Sequence, residues 1–380
     1  GDAGATVAEG RRELVEAVGA RHEDDLRVCR VEVRGSVVTH CSLQHDMPYL
    51  CPDNLPNTGQ CAPEVTSSVS QLGPILRALY VLAAATGLPD VVFYLSEWDV
   101  EWLDWPVPVL AVAKGVGARA VRVPSHCVLD LRFQELVRQL QGSPAYEDRI
   151  PKLFYRGYAH AVDYAVRSPG DRSLPVLHRL GPTTWTRLPR TRLALISALH
   201  PEDVDAAVQG PLGAAKGSPS DGGSRPGPAA RQCEASETGV VGTSGLEELA
   251  RLGKVYEVNT SVLPQSHAQY KFVFYESRGV CKAWFWHLGS TVLKQQAPVL
   301  AYGDEGLLAG HHYIPVAEDL GDLVAAVRHG QLQDPKLYET VARQGQSWAQ
   351  EALGPGVAFA YLHSLVQGIA ELSAPVAGDS

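Results

Sequence analysis

The sequence predicts an α/β protein built from two units, each a parallel sheet covered by helices, with a cleft between them. Runs of apolar, β-prone residues alternate with helical segments, which is typical of parallel sheets. The alternation occurs in both halves of a 380-residue chain, which is long enough for two domains. A Gly-, Ser- and Pro-rich stretch over residues 209–245 predicts a flexible insertion in the second half.

Composition excludes several classes of protein. Hydrophobic residues make up 45% and charged residues 20%, which is typical of a globular chain. The formal net charge of −9 argues against a nucleic-acid-binding protein. No apolar run reaches the roughly 18 residues that span a bilayer, and the first residues do not resemble a secretory signal. No C-x-x-C pair occurs, so a zinc site is not expected.

In the first half, residues 8–20 predict a polar helix, and residues 27–66 look irregular with short strands. Leucines at helical spacing predict a helix over residues 71–86, which Gly87-Leu88-Pro89 ends. Buried strands are predicted over residues 91–95 and 107–113, and a helix over residues 129–140. We expect residues 1–150 to form the first domain.

The second half begins with a short strand that ends in the turn at Arg156-Gly157. Residues 151–350 are expected to form the second domain, and residues 351–380 a C-terminal helix and tail. The other predicted strands cover residues 270–275, 291–294 and 312–316. Predicted helices cover residues 246–252, 280–288, 320–327 (capped by Asp319), 335–351 and 357–372, and residues 193–200 are a helix or a strand.

Candidate binding residues follow strands, because ligands of open parallel sheets bind at the strands' carboxyl ends. Asp99 comes after the strand that ends at Leu95, and Arg156-Gly157 and Arg278-Gly279-Val280 are turns after strands. A glycine turn that enters a helix offers free N–H groups to a phosphate, and an adjacent arginine binds phosphate in a bidentate manner. These residues alone predict a two-domain α/β protein that binds an anion.

The cysteines leave two interpretations open. Four of the seven lie within residues 29–61, which suits either a disulfide-linked region in an oxidising compartment or free thiols in a reducing cell. Asn259-Thr260-Ser261 is a glycosylation sequon, a triplet that also arises by chance.

Several segments, taken in order, resemble glycosyltransferase family 90, the Rumi-like protein O-glucosyltransferases and related xylosyltransferases. The resemblance extends from Leu88-Pro89-Asp90 to about Leu323. Its further segments are Phe154-Tyr155-Arg156-Gly157, Tyr270-Lys271-Phe272-Val273-Phe274 with Gly279-Val280, Gly289-Ser290-Thr291-Val292-Leu293-Lys294 and His312-Tyr313-Ile314-Pro315-Val316.

The resemblance implies a GT-B architecture, with two Rossmann-like domains and a UDP-sugar donor in the cleft. It implies inverting transfer of glucose or xylose to a hydroxyl of a protein or glycan, without a metal or other cofactor. Asp99 would be the general base, and the donor would bind at Arg156, Gly157, Gly279 and Val280. Cys51 and Cys61 match a family cysteine pair. The location implied is the lumen of the secretory pathway, in the endoplasmic reticulum or Golgi.

Trp98, Trp102 and Trp105 lie beside Asp99 and form either a platform for a sugar or acceptor, or part of the core. Glu101 and Asp104 are alternative bases if the alignment shifts. His312 is either a structural histidine or a donor contact.

Two departures from the family leave a second hypothesis open, a catalytically impaired relative that binds glycans or proteins. Members of the family carry Ser-Arg directly after the glycine that corresponds to Gly157, where this chain has Tyr158-Ala159. They also carry an arginine in the helix after Gly279-Val280, where residues 283–286 of this chain have none. Arg167, Arg278 or Lys282 are candidates to replace the missing charges. A third hypothesis is an unrelated two-domain enzyme acting on a nucleotide.

Overall fold

The computed structural model describes residues 28–42, 69–96, 107–129, 131–158, 186, 188–209, 248–256, 264–276 and 283–373. They form a five-stranded sheet, a six-stranded sheet and a two-stranded ladder, together with helices. The predicted α/β class is therefore confirmed. The predicted helix over residues 8–20 lies outside the described residues, as does the predicted insertion apart from Gln209.

The first sheet is mixed rather than parallel. The strands of this half are β1 (Val28–Arg34), β2 (Val37–Ser42), β3 (Val91–Ser96), β4 (Val109–Ala111), β5 (Ala113–Gly115) and β6 (Val121–Arg122). The sheet order is β2-β1-β3-β4-β6; β3, β4 and β6 are parallel, but β1 is antiparallel to β2 and β3. The prediction of a parallel sheet is wrong at this edge, because the two-residue turn Gly35-Ser36 reverses the chain beside β1.

The predicted strand over residues 107–113 is divided into β4 and β5 at Val112. Three helices belong to the same half, α1 (Val69–Thr86), α2 (His126–Leu129) and α3 (Leu131–Leu140). α1 confirms the helix predicted over residues 71–86. Its residues Ile75 and Leu79 are fully buried in one apolar cluster with Phe93 of β3, so the helix covers the sheet.

The second sheet is entirely parallel. Its strands are β7 (Ile150–Tyr158), β8 (Val204–Gln209), β9 (Val255–Tyr256), β10 (Tyr270–Tyr275), β11 (Thr291–Gln295) and β13 (Ile314–Val316). The chain also forms β12 (Val299–Ala301) between β11 and β13, and β12 is not a strand of this sheet. They lie in the order β9-β8-β7-β10-β11-β13. Counted along the chain from β7, this is 3-2-1-4-5-6, the strand order of doubly wound nucleotide-binding sheets.

The helices of this half are α4 (Pro189–Leu199), α5 (Pro264–His267), α6 (Leu323–Arg328) and α7 (Pro335–Ala352). The segment over residues 193–200 is thus helical, and residues 283–288 form a 3₁₀ turn. The prediction that Asp319 caps a helix at residue 320 is wrong. The helix begins at Leu323, and the Asp319 carboxylate instead accepts the N–H of Gly321 in the preceding turn.

The last helix, α8 (Pro355–Ser373), returns to the first sheet. Its buried residues are spaced three or four apart and belong to the apolar cluster of Phe93 and Leu79; they are Ala358, Leu362, Val366 and Ile369. β5 also pairs antiparallel with β12. The two halves of the chain therefore share both a strand pair and a helix, which the sequence does not predict.

We expect the substitution Leu362→Ala to lower the free energy of unfolding by about 2–5 kcal/mol, because it opens a cavity in the core of the first sheet. The matched control is Leu372→Ala on the same helix, where the side chain is 90% exposed and the change should stay within about 0.5 kcal/mol. Urea unfolding followed by circular dichroism measures both. Equal effects would contradict the packing of α8 on this sheet.

Candidate active site

The strand order creates a crevice between β7 and β10. These two neighbouring strands are parallel, and the chain leaves β7 towards β8 on one side and leaves β10 towards β11 on the other. Ligands of doubly wound sheets bind at this switch point, outside the carboxyl ends of the strands. Arg156 and Gly157 lie near the carboxyl end of β7, and Glu276 directly follows β10. The structure thus brings part of the predicted donor site to this crevice.

Arg156 is held by β8. Its Nη2 lies 2.7 Å from Oδ1 of Asp205, its Nη1 donates to the Asp205 carbonyl at 2.9 Å, and its guanidinium lies 4.4 Å from the centre of the Phe154 ring. Tyr270 donates its hydroxyl to Oδ2 of Asp205 at 2.7 Å. The positive charge of Arg156 is therefore already balanced by a carboxylate. Its role in donor binding stays a prediction.

Burial alone would raise the pKa of Asp205, but the hydrogen bonds from Arg156 and Tyr270 outweigh burial and lower it. The carboxylate is therefore charged over the whole neutral range, and so it remains an acceptor for both donors.

Gly157 is required by packing. A Cβ at this position would collide with the phenol of Tyr155, two residues earlier in the same strand. Tyr155 is fully buried, and burial raises its pKa. The glycine therefore lets the strand pass close to this phenol at the edge of the crevice, a role independent of any ligand.

Arg190 and Glu276 form a buried ion pair that the sequence analysis missed. Nε of Arg190, in the first turn of α4, lies 2.5 Å from Oε2 of Glu276, and the two side chains are 12% and 0% exposed. Because α4 connects two parallel strands, its first turn lies at their carboxyl edge. The available signals were Pro189, which is typical of a helix start, and an acidic residue directly after a buried strand.

A third pair joins β11 to the turn after β12. Nζ of Lys294 lies 3.6 Å from Oδ1 of Asp304 and 5.6 Å from the centre of the Tyr313 ring. Burial raises the pKa of Asp304, although Lys294 and the N–H of Ala301 act in the opposite direction. Lys294, Arg156 and Arg190 are thus all balanced by carboxylates.

The remaining predicted site residues lie outside the described ranges. β3 ends at Ser96, so the chain enters the segment that carries Asp99 from the carboxyl end of a parallel strand. The residues concerned are Trp98, Asp99, Glu101, Trp102, Asp104, Trp105, Gly279 and Val280, with Cys51, Cys61, Asn259, Arg167, Arg278 and Lys282. Their predicted roles stay predictions.

Cys127 is disulfide-bonded. The match of Cys51 and Cys61 to a family cysteine pair stays a prediction, because both lie outside the described residues. Cys29 is buried, and its thiol donates to the carbonyl of Arg30 at 3.8 Å. His312 has a structural contact, because its Nδ1 accepts the N–H of Leu308 at 3.0 Å.

Among the described residues, His200, Glu202 and Asp203 have the spacing of metal ligands. Nη2 of Arg328 already lies 3.0 Å from Glu202 and 2.8 Å from Asp203, so this group is a salt-bridge cluster. In the part of the chain that the structure describes, no helix is long and apolar enough to cross a membrane.

We expect Glu276→Gln to destabilise the protein by about 3–5 kcal/mol, because it leaves the Arg190 charge buried without its carboxylate. The matched control is Glu135→Gln, which removes an exposed carboxylate paired with Arg138 and should cost at most about 1 kcal/mol. Denaturant unfolding of the variants measures the difference. A loss at Glu276 no larger than that of the control would contradict a buried ion pair.

Asp205 should make stability depend on acidic pH. Its pKa is lower in the folded state than the value of about 3.9 in an unfolded chain. Its stabilisation is therefore fully present above that unfolded value and is lost as the pH falls through the lower folded value. Between pH 6 and pH 2, we expect unfolding free energies of the wild type and Asp205→Asn to converge. If the unfolding free energies of the two proteins instead differed by the same amount at every pH, the lowered pKa of Asp205 would be contradicted.

Comparisons with known proteins agree on one family. Residues 241–375 match the sequence model of Glycosyl transferase family 90. Protein O-glucosyltransferase 3 of Mus musculus is 22% identical over 312 residues, covering 78% of this chain and 50% of that protein. The Rattus norvegicus protein of the same name is 22% identical over 309 residues, covering 77% and 49%. The chain spans about half the length of the curated relatives it matches.

Two solved structures align weakly. A structure of Anabaena Alr3699/HepE in complex with UDP-glucose aligns at a TM-score of 0.33 and 14% identity, over 62% of this chain and 52% of that one. A glycosyltransferase from Rickettsia africae ESF-5 aligns at 0.36 and 10%, over 70% and 64%. Alignments at these scores establish neither the fold nor the ligand of this chain.

The family match covers β10, β11, β13 and the helices α6 to α8, the part of the chain where the last sequence motifs lie. The resemblance inferred from those motifs is confirmed: over this part the chain is similar to glycosyltransferase family 90.

Proposed function

We propose that this chain is an inverting, metal-independent glycosyltransferase that moves glucose or xylose from a UDP-sugar to a hydroxyl of a protein or glycan. The observation that carries the proposal is the family match over residues 241–375, which begins before β10 and includes the strands on one side of the switch point. A doubly wound sheet with this strand order suits a nucleotide donor at the carboxyl ends of β7 and β10.

In this mechanism Asp99 is the general base. Its carboxylate takes the proton of the acceptor hydroxyl while that oxygen attacks the anomeric carbon from the face opposite UDP. The new C–O bond forms as the bond to the diphosphate oxygen breaks, and UDP leaves with the electron pair, so the configuration inverts. A positioned carboxylate contributes about 10²–10⁴-fold to such a step. Trp98, Trp102 and Trp105 would offer a surface for the sugar or acceptor beside it.

Donor binding is proposed at Gly279 and Val280 after β10, together with Arg156 and Gly157 of β7. Backbone N–H groups in a glycine turn stabilise a leaving diphosphate without a metal. The name Protein O-glucosyltransferase 3 of two relatives favours glucose as the sugar and a protein as the acceptor. The disulfide at Cys127 supports a location in the oxidising lumen of the endoplasmic reticulum or Golgi.

A second candidate is a catalytically impaired relative that binds glycans or proteins. It is favoured by the charge balance near the crevice, where Arg156 and Arg190 are each paired with a carboxylate. Losing the two expected arginines would remove further charge from the phosphate site. The two candidates differ in whether UDP binds.

Calorimetric titration with UDP tests the first candidate. We expect micromolar binding that EDTA does not change. We expect Asp99→Asn to retain that binding but to lower transfer from UDP-glucose or UDP-xylose by about 10²–10⁴-fold. Glu101→Gln and Asp104→Asn are the matched controls and should leave transfer unchanged.

Full activity of Asp99→Asn would overturn the assignment of the base. If UDP does not bind up to millimolar concentration, the donor site is absent and the second candidate replaces the first.

A further inference from the structure

Glu276 joins three elements at the carboxyl edge of the second sheet. Its fully buried carboxylate directly follows β10 and lies 2.5 Å from Nε of Arg190, in the first turn of α4. Arg190 also donates a hydrogen bond to the hydroxyl of Tyr155, which is fully buried in β7. The three side chains therefore connect β7, β10 and α4 at the switch point.

The amino terminus of α4 does not favour a cation by itself. The partial positive charge at the amino terminus of a helix repels cations. The first turn of α4 contains no acidic residue, and its N-cap, Leu188, provides no side-chain hydrogen bond. Arg190 is only 12% exposed and is held in this turn by groups from two neighbouring strands, the carboxylate of Glu276 and the hydroxyl of Tyr155.

This arrangement fixes positions more than it adds stability. Exchanging a buried ion pair for apolar residues is often neutral or stabilising, so the pair is weak evidence for a role in stability. Its geometry is specific, because a charge-assisted hydrogen bond sets both the distance and the direction between its partners. The pair therefore sets the separation between the end of β10 and the start of α4, beside the point where ligands of such sheets bind.

Both strand residues adjoin the positions proposed to bind the donor. Glu276 lies two residues before Arg278-Gly279-Val280 in the sequence. The hydroxyl of Tyr155 lies against the backbone at Gly157, where a Cβ would collide with it. A shift of either side chain would therefore displace a strand end at the crevice.

We propose that Glu276 and Tyr155 are positioning residues for the donor, which hold the ends of β7 and β10 and the first turn of α4 at the separation that a nucleoside diphosphate requires. This inference rests on the proposed function. Both side chains are fully buried, so they act through the backbone and Arg190 and not through contact with the ligand.

Calorimetric titration of the full chain with UDP tests the proposal. We expect Tyr155→Phe to weaken UDP binding about threefold to tenfold, because it removes one hydrogen bond of Arg190. We expect Glu276→Gln to weaken UDP binding about tenfold or more, because it removes the charge that holds Arg190 in place.

Two matched controls lie at the amino-terminal edge of the same sheet and should leave UDP binding unchanged. Tyr146→Phe removes a partly buried hydroxyl that is hydrogen-bonded to Oγ1 of Thr291 at 2.8 Å. Asp203→Asn removes a buried carboxylate that lies 2.8 Å from Nη2 of Arg328.

Transfer kinetics separate positioning from stability. If the variants only unfold more easily, the fraction of active enzyme and the apparent kcat fall, while the KM for the UDP-sugar stays that of the wild type. A displaced donor site instead raises this KM by the same factor as the Kd for UDP and leaves kcat within about twofold.

Weaker UDP binding with a raised KM in Tyr155→Phe and Glu276→Gln, but not in the two controls, supports the proposal. If Glu276→Gln does not fold, Tyr155→Phe decides, because it retains the ion pair. The proposal alone is overturned if the wild type binds UDP and transfers the sugar but Tyr155→Phe does both equally well.

Tighter UDP binding by Glu276→Gln also overturns the proposal, since Glu276 would then compete with the diphosphate for Arg190. If the wild type does not bind UDP, the proposed function fails and this proposal fails with it.

Discussion

The pairing of β7 on both of its edges is the constraint on which the second half of the chain depends. β7 is the first strand of its sheet in sequence but lies in the middle, hydrogen-bonded to β8 on one side and β10 on the other. A first strand at the centre makes the later strands extend in two directions. The switch point, and with it the place where a ligand can reach the carboxyl ends, follows from this position. Tyr155, fully buried in the same strand, fixes which face packs into the core.

Ion pairs then align the elements of the second half. Asp205 joins Arg156 of β7 to β8, Glu276 joins the end of β10 to the first turn of α4, and Asp304 joins the turn after β12 to β11. Replacing such pairs by apolar residues often costs little, but removing one partner costs several kcal/mol. These pairs therefore matter more for the positions of the elements that they join than for the free energy of folding.

The halves of the chain are less separate than a division into consecutive domains suggests. β5 is not a strand of the first sheet but pairs with β12 of the second half. Arg122 of β6 donates to the carbonyl of Ala301 and accepts, through its own carbonyl, the hydroxyl of Tyr361 in α8. The family match covers α8 as well, so a segment that belongs by sequence to the second half completes the core of the first sheet.

The sequence by itself determined the α/β class, the positions of α1, β3, β10 and β11, and the resemblance to glycosyltransferase family 90, because apolar periodicity and short motifs are local properties of the chain. It placed Arg156 and Gly157 at a strand end for the same reason. Only the tertiary structure decided the strand order, the antiparallel β1–β2 edge and the return of α8. It also decided the partners of Arg156, Arg190 and Arg149, because Asp205, Glu276 and Ser290 lie 49, 86 and 141 positions away from them in the sequence. No local pattern encodes contacts over such separations, so whether a buried arginine meets a carboxylate or a neutral acceptor depends on how the strands pack.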